Sequence, residues 1–157
     1  MKKRFKFIPA VYLILKSKDG KKILLSRRSN TGYKDGFYSM IAGHLEGDEQ
    51  LAVALTREAK EEAGIDINPK DLHLATMMHL RSEIKGSTDD ERATFYFETD
   101  AYEGELENME PHKCDEMRWF DLDKLPEPII NHVASAIENA KNGISYAEYG
   151  WAEGEKF

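Results

Sequence analysis

Short apolar runs separated by polar, glycine-bearing stretches dominate the first quarter of the chain. Val11-Tyr12-Leu13-Ile14-Leu15 and Ile23-Leu24-Leu25 are rich in β-formers, and Lys18-Asp19-Gly20 between them carries the Asp-Gly pair of a tight turn. That pattern predicts a hairpin. Ser29 to Gly36 reads as a polar loop leading into a third short strand over Phe37 to Ile41. The period then changes. From Asp48 to Ala63 there is no Gly or Pro, Leu51, Leu55 and Ala59 recur on one face, and Gly64 supplies a stop, which together predict a helix. Leu72 to Met78, Ala93 to Phe97 and Met117 to Phe120 read as further strands. Ile129, Val133 and Ile137, with Ala136 and Ala140, share one face of a second helix ending near Asn142-Gly143, and the segment after Ile144 has no assignment. Strands interspersed with two helices, without strictly alternating βαβ units, predict an α+β domain built on a mixed sheet.

Composition narrows the partners. A chain of 157 residues with 41% hydrophobic content builds one core, so residues 1–157 are expected to form a single domain. Its 22 basic and 29 acidic residues leave a net charge of −7, which repels polymeric nucleic acid but not a small phosphate compound carried with divalent cations. Cys114 is the sole cysteine, so it forms no internal disulfide and no multi-cysteine metal site; this points to a reducing compartment, the cytoplasm. The basic start Met1-Lys2-Lys3-Arg4-Phe5-Lys6 is like the beginning of a signal peptide, yet the apolar run Phe7 to Leu15 is broken by Pro9 and ends in a charged turn. It is expected to be a first strand. No apolar stretch approaches bilayer length, so no membrane partner is expected.

The chemistry concentrates in Gly43-His44-Leu45-Glu46-Gly47-Asp48-Glu49 and, seven residues on, Arg57-Glu58-Ala59-Lys60-Glu61-Glu62-Ala63-Gly64-Ile65. On a helix, positions 58, 61 and 62 are i, i+3 and i+4, so three carboxylates stand on one stripe beside the apolar stripe of Leu51, Leu55 and Ala59. A glutamate-rich helix is ordinarily just a solvated face. Carboxylates at the edge of a core, however, repel one another unless a positive charge neutralises them, and Mg²⁺ or Mn²⁺ prefers such oxygen donors. An Mg²⁺ ion keeps waters that phosphate oxygens can replace.

This segment resembles the Nudix box, G-x5-E-x7-R-E-U-x-E-E-x-G-U with U aliphatic. Gly43, Glu49, Arg57, Glu58, Glu61, Glu62, Gly64 and Ile65 occupy its fixed positions, with the small Ala59 at the first U. Ile23 to Arg28 upstream, and Asn108 to Cys114, Met117 to Leu122 and Leu125-Pro126 downstream, resemble the MutT-like, nucleotide-hydrolysing branch, so the likeness runs from about residue 5 to residue 140. It implies a Nudix-type α/β/α sandwich with a mixed sheet and a loop-helix-loop catalytic motif.

The resemblance also implies roles. Glu58, Glu61 and Glu62 become the Mg²⁺- or Mn²⁺-binding core, with Glu58 either a ligand or the general base. The Ala42 carbonyl is a candidate ligand, although Ile41-Ala42-Gly43 stands where many relatives have Pro-Gly-Gly. Arg57 is expected to pair with Glu49 and hold loop and helix in register. Gly43 keeps the loop free of a side chain and is counted with Arg28 and Asn131 as substrate-binding. Arg27 and Arg28 alternate on a strand, so at most one reaches the site. Glu110 is a further candidate ligand, in competition with Asp115 and Glu116. The five histidines lack metal spacing and read as surface or strand residues; Phe95, Tyr96, Phe97 and Trp119 read as core.

The expected reaction is metal-dependent hydrolysis of a nucleotide diphosphate linkage, with a nucleoside triphosphate, standard or oxidised, giving a monophosphate and pyrophosphate. The segment His79 to Ile84 lacks the Pro or Tyr marker common in relatives acting on ADP-ribose or dinucleoside polyphosphates, which favours the triphosphate. ADP-ribose, a nucleotide sugar, or a non-catalytic nucleotide-sensing module are the alternatives, the last commonly losing box glutamates that this chain keeps. A homodimer is compatible with the resemblance.

Overall fold

The structure, a computed structural model, describes residues 4–6, 8–81 and 91–152. Phe7, where the sequence pattern begins the first strand, and residues 82–84 of the marker segment lie outside them.

Strand β1 (Ile8–Leu15) is an interior strand of a five-stranded sheet, and its alternation sorts the two cores. Val11, Leu13 and Leu15 face one cluster while Ile14 and the partly buried Tyr12 face the other. The first cluster packs against α1 (Leu51–Ala63) and the second against α2 (Asn131–Lys141), so the helices cover opposite faces. This is the expected α/β/α sandwich. Burying one fully enclosed side chain such as Leu55 contributes about 2 kcal/mol.

The remaining strands are β2 (Lys22–Arg28), β3 (Tyr38–Ser39), β4 (Ile41–His44), β5 (His73–Arg81), β6 (Glu91–Thr99), β7 (Cys114–Asp121) and β8 (Tyr146–Tyr149). One sheet has the order β4-β1-β6-β5-β8 and the other β3-β2-β7. Pairing is mixed: β1 with β6 and β5 with β8 are parallel, the other pairs antiparallel.

Three expectations change. The hairpin survives only at its tip, where Ser17 N–H donates to Lys22 and Lys16 bridges Ile23; beyond it β1 and β2 part into different sheets. The strand foreseen over Phe37 to Ile41 is broken at Met40, because β3 pairs with β2 and β4 with β1. The unassigned segment after Ile144 forms β8, whose Ala147 and Tyr149 pack on the α2-side core.

The first helix starts at Leu51, three residues later than the pattern implied, because Asp48 has a left-handed φ of 52° and belongs to the preceding loop. Gly64 ends it as foreseen, in the left-handed conformation that glycine tolerates. Among the described residues no helix is long and apolar enough to cross a membrane.

His132 corrects the surface-or-strand reading of the histidines: it lies in α2, is 5% exposed, and its Nδ1 stands 3.1 Å from the Tyr96 hydroxyl. Burial pushes its pKa from 6.5 down to about 3. The unfolded chain therefore takes up this proton first, so the contribution of His132 to stability is complete above pH 6.5 and is lost as pH falls towards 3. Urea unfolding between pH 7.5 and 4.5 should lose up to a few kcal/mol from this source, and His132→Gln should flatten that slope. Parallel slopes for the two proteins would contradict it.

Candidate active site

The carboxylate stripe is placed by the helix face that the core selects. Ala54, Leu55, Ala59 and Ala63 are buried, and the small alanines bring α1 close to β4 and β1. Glu58 and Glu62 precede Ala59 and Ala63 by one residue, a rotation of about 100°, so they flank the buried face. They open onto a cleft of about 400 Å³, whose walls include Arg28, Ala42, Arg57, Glu61, Glu110 and Lys113.

Arg57 is the organising cation. Its Nε and Nη2 reach the two Glu49 carboxylate oxygens at 3.3 and 3.0 Å, while Nη2 also donates to the His44 carbonyl at 3.2 Å. Nη1 donates to Glu58 at 2.8 Å and to Glu61 at 3.4 Å. Glu49 in turn accepts from the Glu46 N–H at 2.8 Å. The pair thus ties the 44–49 loop to α1, and it holds Arg57 more firmly protonated and the Glu49 carboxyl below its ordinary range. Arg57→Lys keeps the charge but loses the planar fork. It is expected to lower stability by about 1–2 kcal/mol and kcat/KM about tenfold; wild-type values for both would remove this role.

Gly43 faces Glu58 at very close range: a Cβ built on it would lie 1.9 Å from Glu58 Oε1 and 2.1 Å from its Cδ. The Glu58 side chain is only 14% exposed and lies in the space a larger residue would fill. Glu62 is partly buried, with the Ala42 N–H nearby favouring its charged form. Burial, reinforced by the Glu58 and Glu110 charges, raises its pKa to about 8. Burial likewise raises that of Glu58, with Arg57 opposing. Glu61 differs, with its side chain 54% exposed.

Glu110 arrives through the capping of α1. The last carbonyls of a helix need outside donors, and here Met109 N–H donates to Glu62 O at 3.0 Å and Glu107 N–H to Ala63 O at 3.1 Å. An Asn108 turn follows, its Oδ1 accepting from Glu110 N–H and its Nδ2 donating to Cys114 O. Glu110 is held by Lys113 Nζ at 2.8 Å, which keeps the ammonium protonated more firmly than usual.

Glu58, Glu61, Glu62, Ala42 and Glu110 therefore line one cleft together with Arg57, and Glu49 stands outside the lining, bound to Arg57. Asp115 and Glu116 do not line it: Asp115 pairs with Arg27 at 2.8 Å, and Glu116 accepts from the Tyr38 hydroxyl and pairs with Arg118. Arg27 and Arg28 separate at a shift in the β2–β7 register, Arg27 pairing with Asp115 and Arg28 bordering the cleft. Asn131 does not: it is exposed in the first turn of α2, outside the lining. Lys113, Thr31 and Cys114 line the cleft without having been singled out for it, and only the Asn108–Glu110 turn spacing could have signalled the first.

The donor set suits a hard divalent cation. Five carboxylates, Glu46, Glu58, Glu61, Glu62 and Glu110, border one cleft; burial and neighbouring carboxylates raise the proton affinities of Glu58 and Glu62, and the walls also carry Arg28, Arg57 and Lys113, the last two paired with these carboxylates. Among the described residues no group of three or more such side chains is placed to hold an ion as they stand; Arg57 engages Glu46, Glu58 and Glu61, and Lys113 engages Glu110.

Comparison with known proteins places this geometry. The chain is 28% identical to a protein named NAD-capped RNA hydrolase NudC from Vibrio atlanticus (strain LGP32) across 86% of its own length, and 29% identical to one of the same name from Stutzerimonas stutzeri (strain A1501) across 68%. It spans 46% and 34% of the length of those two relatives. Its fold is that of a MutT NUDIX hydrolase from Burkholderia pseudomallei (TM-score 0.75, 22% identity, 85% of this chain and 97% of that one). It is also that of a MutT protein from Methanosarcina mazei Go1 (TM-score 0.72, 21% identity, 90% and 97%). Residues 6–139 match the NUDIX domain, a span that holds the whole carboxylate cleft, and the chain belongs to that family.

Proposed function

We propose that this chain is a metal-dependent hydrolase of a nucleotide-linked diphosphate. What carries the reading is the carboxylate cleft: Glu58 and Glu62 are shielded, raised in proton affinity and mutually repulsive, an arrangement with no benefit to folding unless a cation joins it. Bound Mg²⁺ or Mn²⁺ would neutralise the diphosphate and lower the proton affinity of water. Glu61, Glu62, Glu110 and the Ala42 carbonyl are the oxygen donors assigned to hold it.

Glu58, wedged against Gly43 and steered by Arg57, takes the proton from the attacking water. Arg57 and Glu49 keep its carboxylate in place. A water oxygen forms the new bond to phosphorus while a phosphoanhydride bond breaks, and Arg28 at the rim contacts the substrate. For a nucleoside triphosphate the products are the monophosphate and pyrophosphate. The reducing cytoplasm suits a chain whose lone thiol, Cys114, is free.

A second reading, a diphosphate joining two nucleosides, is favoured by the names of the two curated relatives. Product analysis over a panel of standard and oxidised nucleoside triphosphates, ADP-ribose, nucleotide sugars, NAD and dinucleoside polyphosphates, with and without Mg²⁺, separates the two. Pyrophosphate from a triphosphate supports the first, and two monophosphates from NAD the second. Nucleotide binding without turnover in any combination would replace both with a sensor.

A further inference from the structure

Arg28 borders the catalytic cleft, yet two of its nitrogens are committed to the loop that follows it. Its Nε donates to the Tyr33 carbonyl at 2.8 Å and its Nη2 to the Thr31 hydroxyl oxygen at 3.0 Å, with the guanidinium 5.5 Å from the centre of the Tyr33 ring. Nη1 is the nitrogen not engaged within the loop.

Thr31 is itself fixed. Its hydroxyl donates to Asp35 Oδ1 at 2.6 Å, its own N–H reaches the same oxygen at 3.0 Å, and the Gly32 N–H takes Oδ2 at 3.0 Å. Asp35 thereby closes a small ring of donors, which lowers its pKa and keeps it an acceptor, the Thr31 hydroxyl being the largest cause. Left-handed residues at Asn30, Gly32, Lys34 and Gly36 let the backbone fold tightly enough for this. The loop is pinned at both ends: Gly36 N–H donates to Arg28 O at 2.7 Å, and Ser29 N–H to Lys113 O at 2.8 Å, on the segment that carries Glu110.

We propose that Asp35 and Thr31 are positioning residues for the hydrolysis, a relay that holds the Arg28 guanidinium in its substrate-binding orientation before substrate arrives. An unrestrained arginine loses much rotamer freedom when it captures an anion, and a preorganised one does not. The exposed loop gains little else from three donors gathered on Asp35. The inference rests on the reading of Arg28 as a substrate contact given above.

Steady-state hydrolysis of dGTP and ADP-ribose in Mg²⁺ tests it, with Thr31→Val, Thr31→Ser, Asp35→Asn and Arg28→Ala alone and Thr31→Val combined with Arg28→Ala. Thr31→Val should raise KM about tenfold with kcat within twofold, because a contact made equally in ground and transition states acts on KM. Thr31→Ser, which keeps the hydroxyl, should restore it; Asp35→Asn should fall between. In the Arg28→Ala background Thr31→Val should change KM less than twofold. An equal tenfold effect in both backgrounds, or wild-type KM in Thr31→Val while Arg28→Ala is impaired, would overturn the relay alone. Wild-type kinetics in Arg28→Ala would overturn the Arg28 contact and the relay with it, and wild-type protein inert on these two compounds and on the rest of the panel above would overturn the hydrolase reading beneath them.

Discussion

Gly43→Ala is expected to lower kcat about 100-fold while the protein stays folded. The added methyl would sit 1.9 Å from Glu58 Oε1, and the three atoms nearest to it all belong to that one side chain. The backbone at 43 is not left-handed, so alanine brings no conformational strain. The relief is therefore a swing of Glu58 out of its niche, away from Arg57 Nη1. Displacing a reacting group by about 1 Å commonly removes two orders of magnitude in rate. Thermal unfolding should move by only a few degrees. A variant with near wild-type kcat would show that the niche does not position Glu58 for the reaction.

Glu62→Gln should have the opposite signature in stability and a comparable or larger loss of turnover, at least 100-fold. The pKa of Glu62 rises from 4.5 to about 8 on folding, so between these values the folded chain holds more protons than the unfolded one. Metal-free stability must then fall as pH climbs through this window. Glutamine removes the charge at similar volume. At pH 8.5 without metal the variant should exceed wild type by on the order of a few kcal/mol, and at pH 4.5 the two should agree. Millimolar Mg²⁺ should stabilise wild type by mass action and leave the variant unmoved. Equal stabilisation of both would remove Glu62 from the ligand set. Sequence spacing alone ranks Glu61 and Glu62 together; burial separates them, since Glu61 is mostly exposed and Glu62 is not.

What could be read from the sequence was set by local geometry. The carboxylate stripe follows from helical rotation, and Gly64 from the need for a left-handed stop. The Arg57–Glu49 pair was implied by the likeness of the box. Pairing partners were not legible. Asp19-Gly20 does make its turn, but which sheet β1 and β2 join depends on β6 and β7, over 70 residues further along the chain. The four residues of β8 carry too little pattern to announce a strand, and they become one by adding to the β5 edge. His132 looks like any helix histidine until α2 turns it towards Tyr96. The cleft walls supplied by Thr31 and Lys113 depend on loops whose shape comes from side-chain caps and left-handed residues, which hydrophobic periodicity does not report. Asn131 shows the converse, a residue carried over by likeness whose place in α2 lies outside the cleft lining.

The central claim is that the acidic cleft beside α1, Glu62 above all, holds a divalent cation shared with a diphosphate. Mn²⁺ titration followed by electron paramagnetic resonance, on wild type and Glu62→Gln, with and without inorganic pyrophosphate, tests it most directly. The account predicts saturable Mn²⁺ binding by wild type, tightened by pyrophosphate, and at least tenfold weaker binding by the variant. Identical titrations of the two proteins would contradict it.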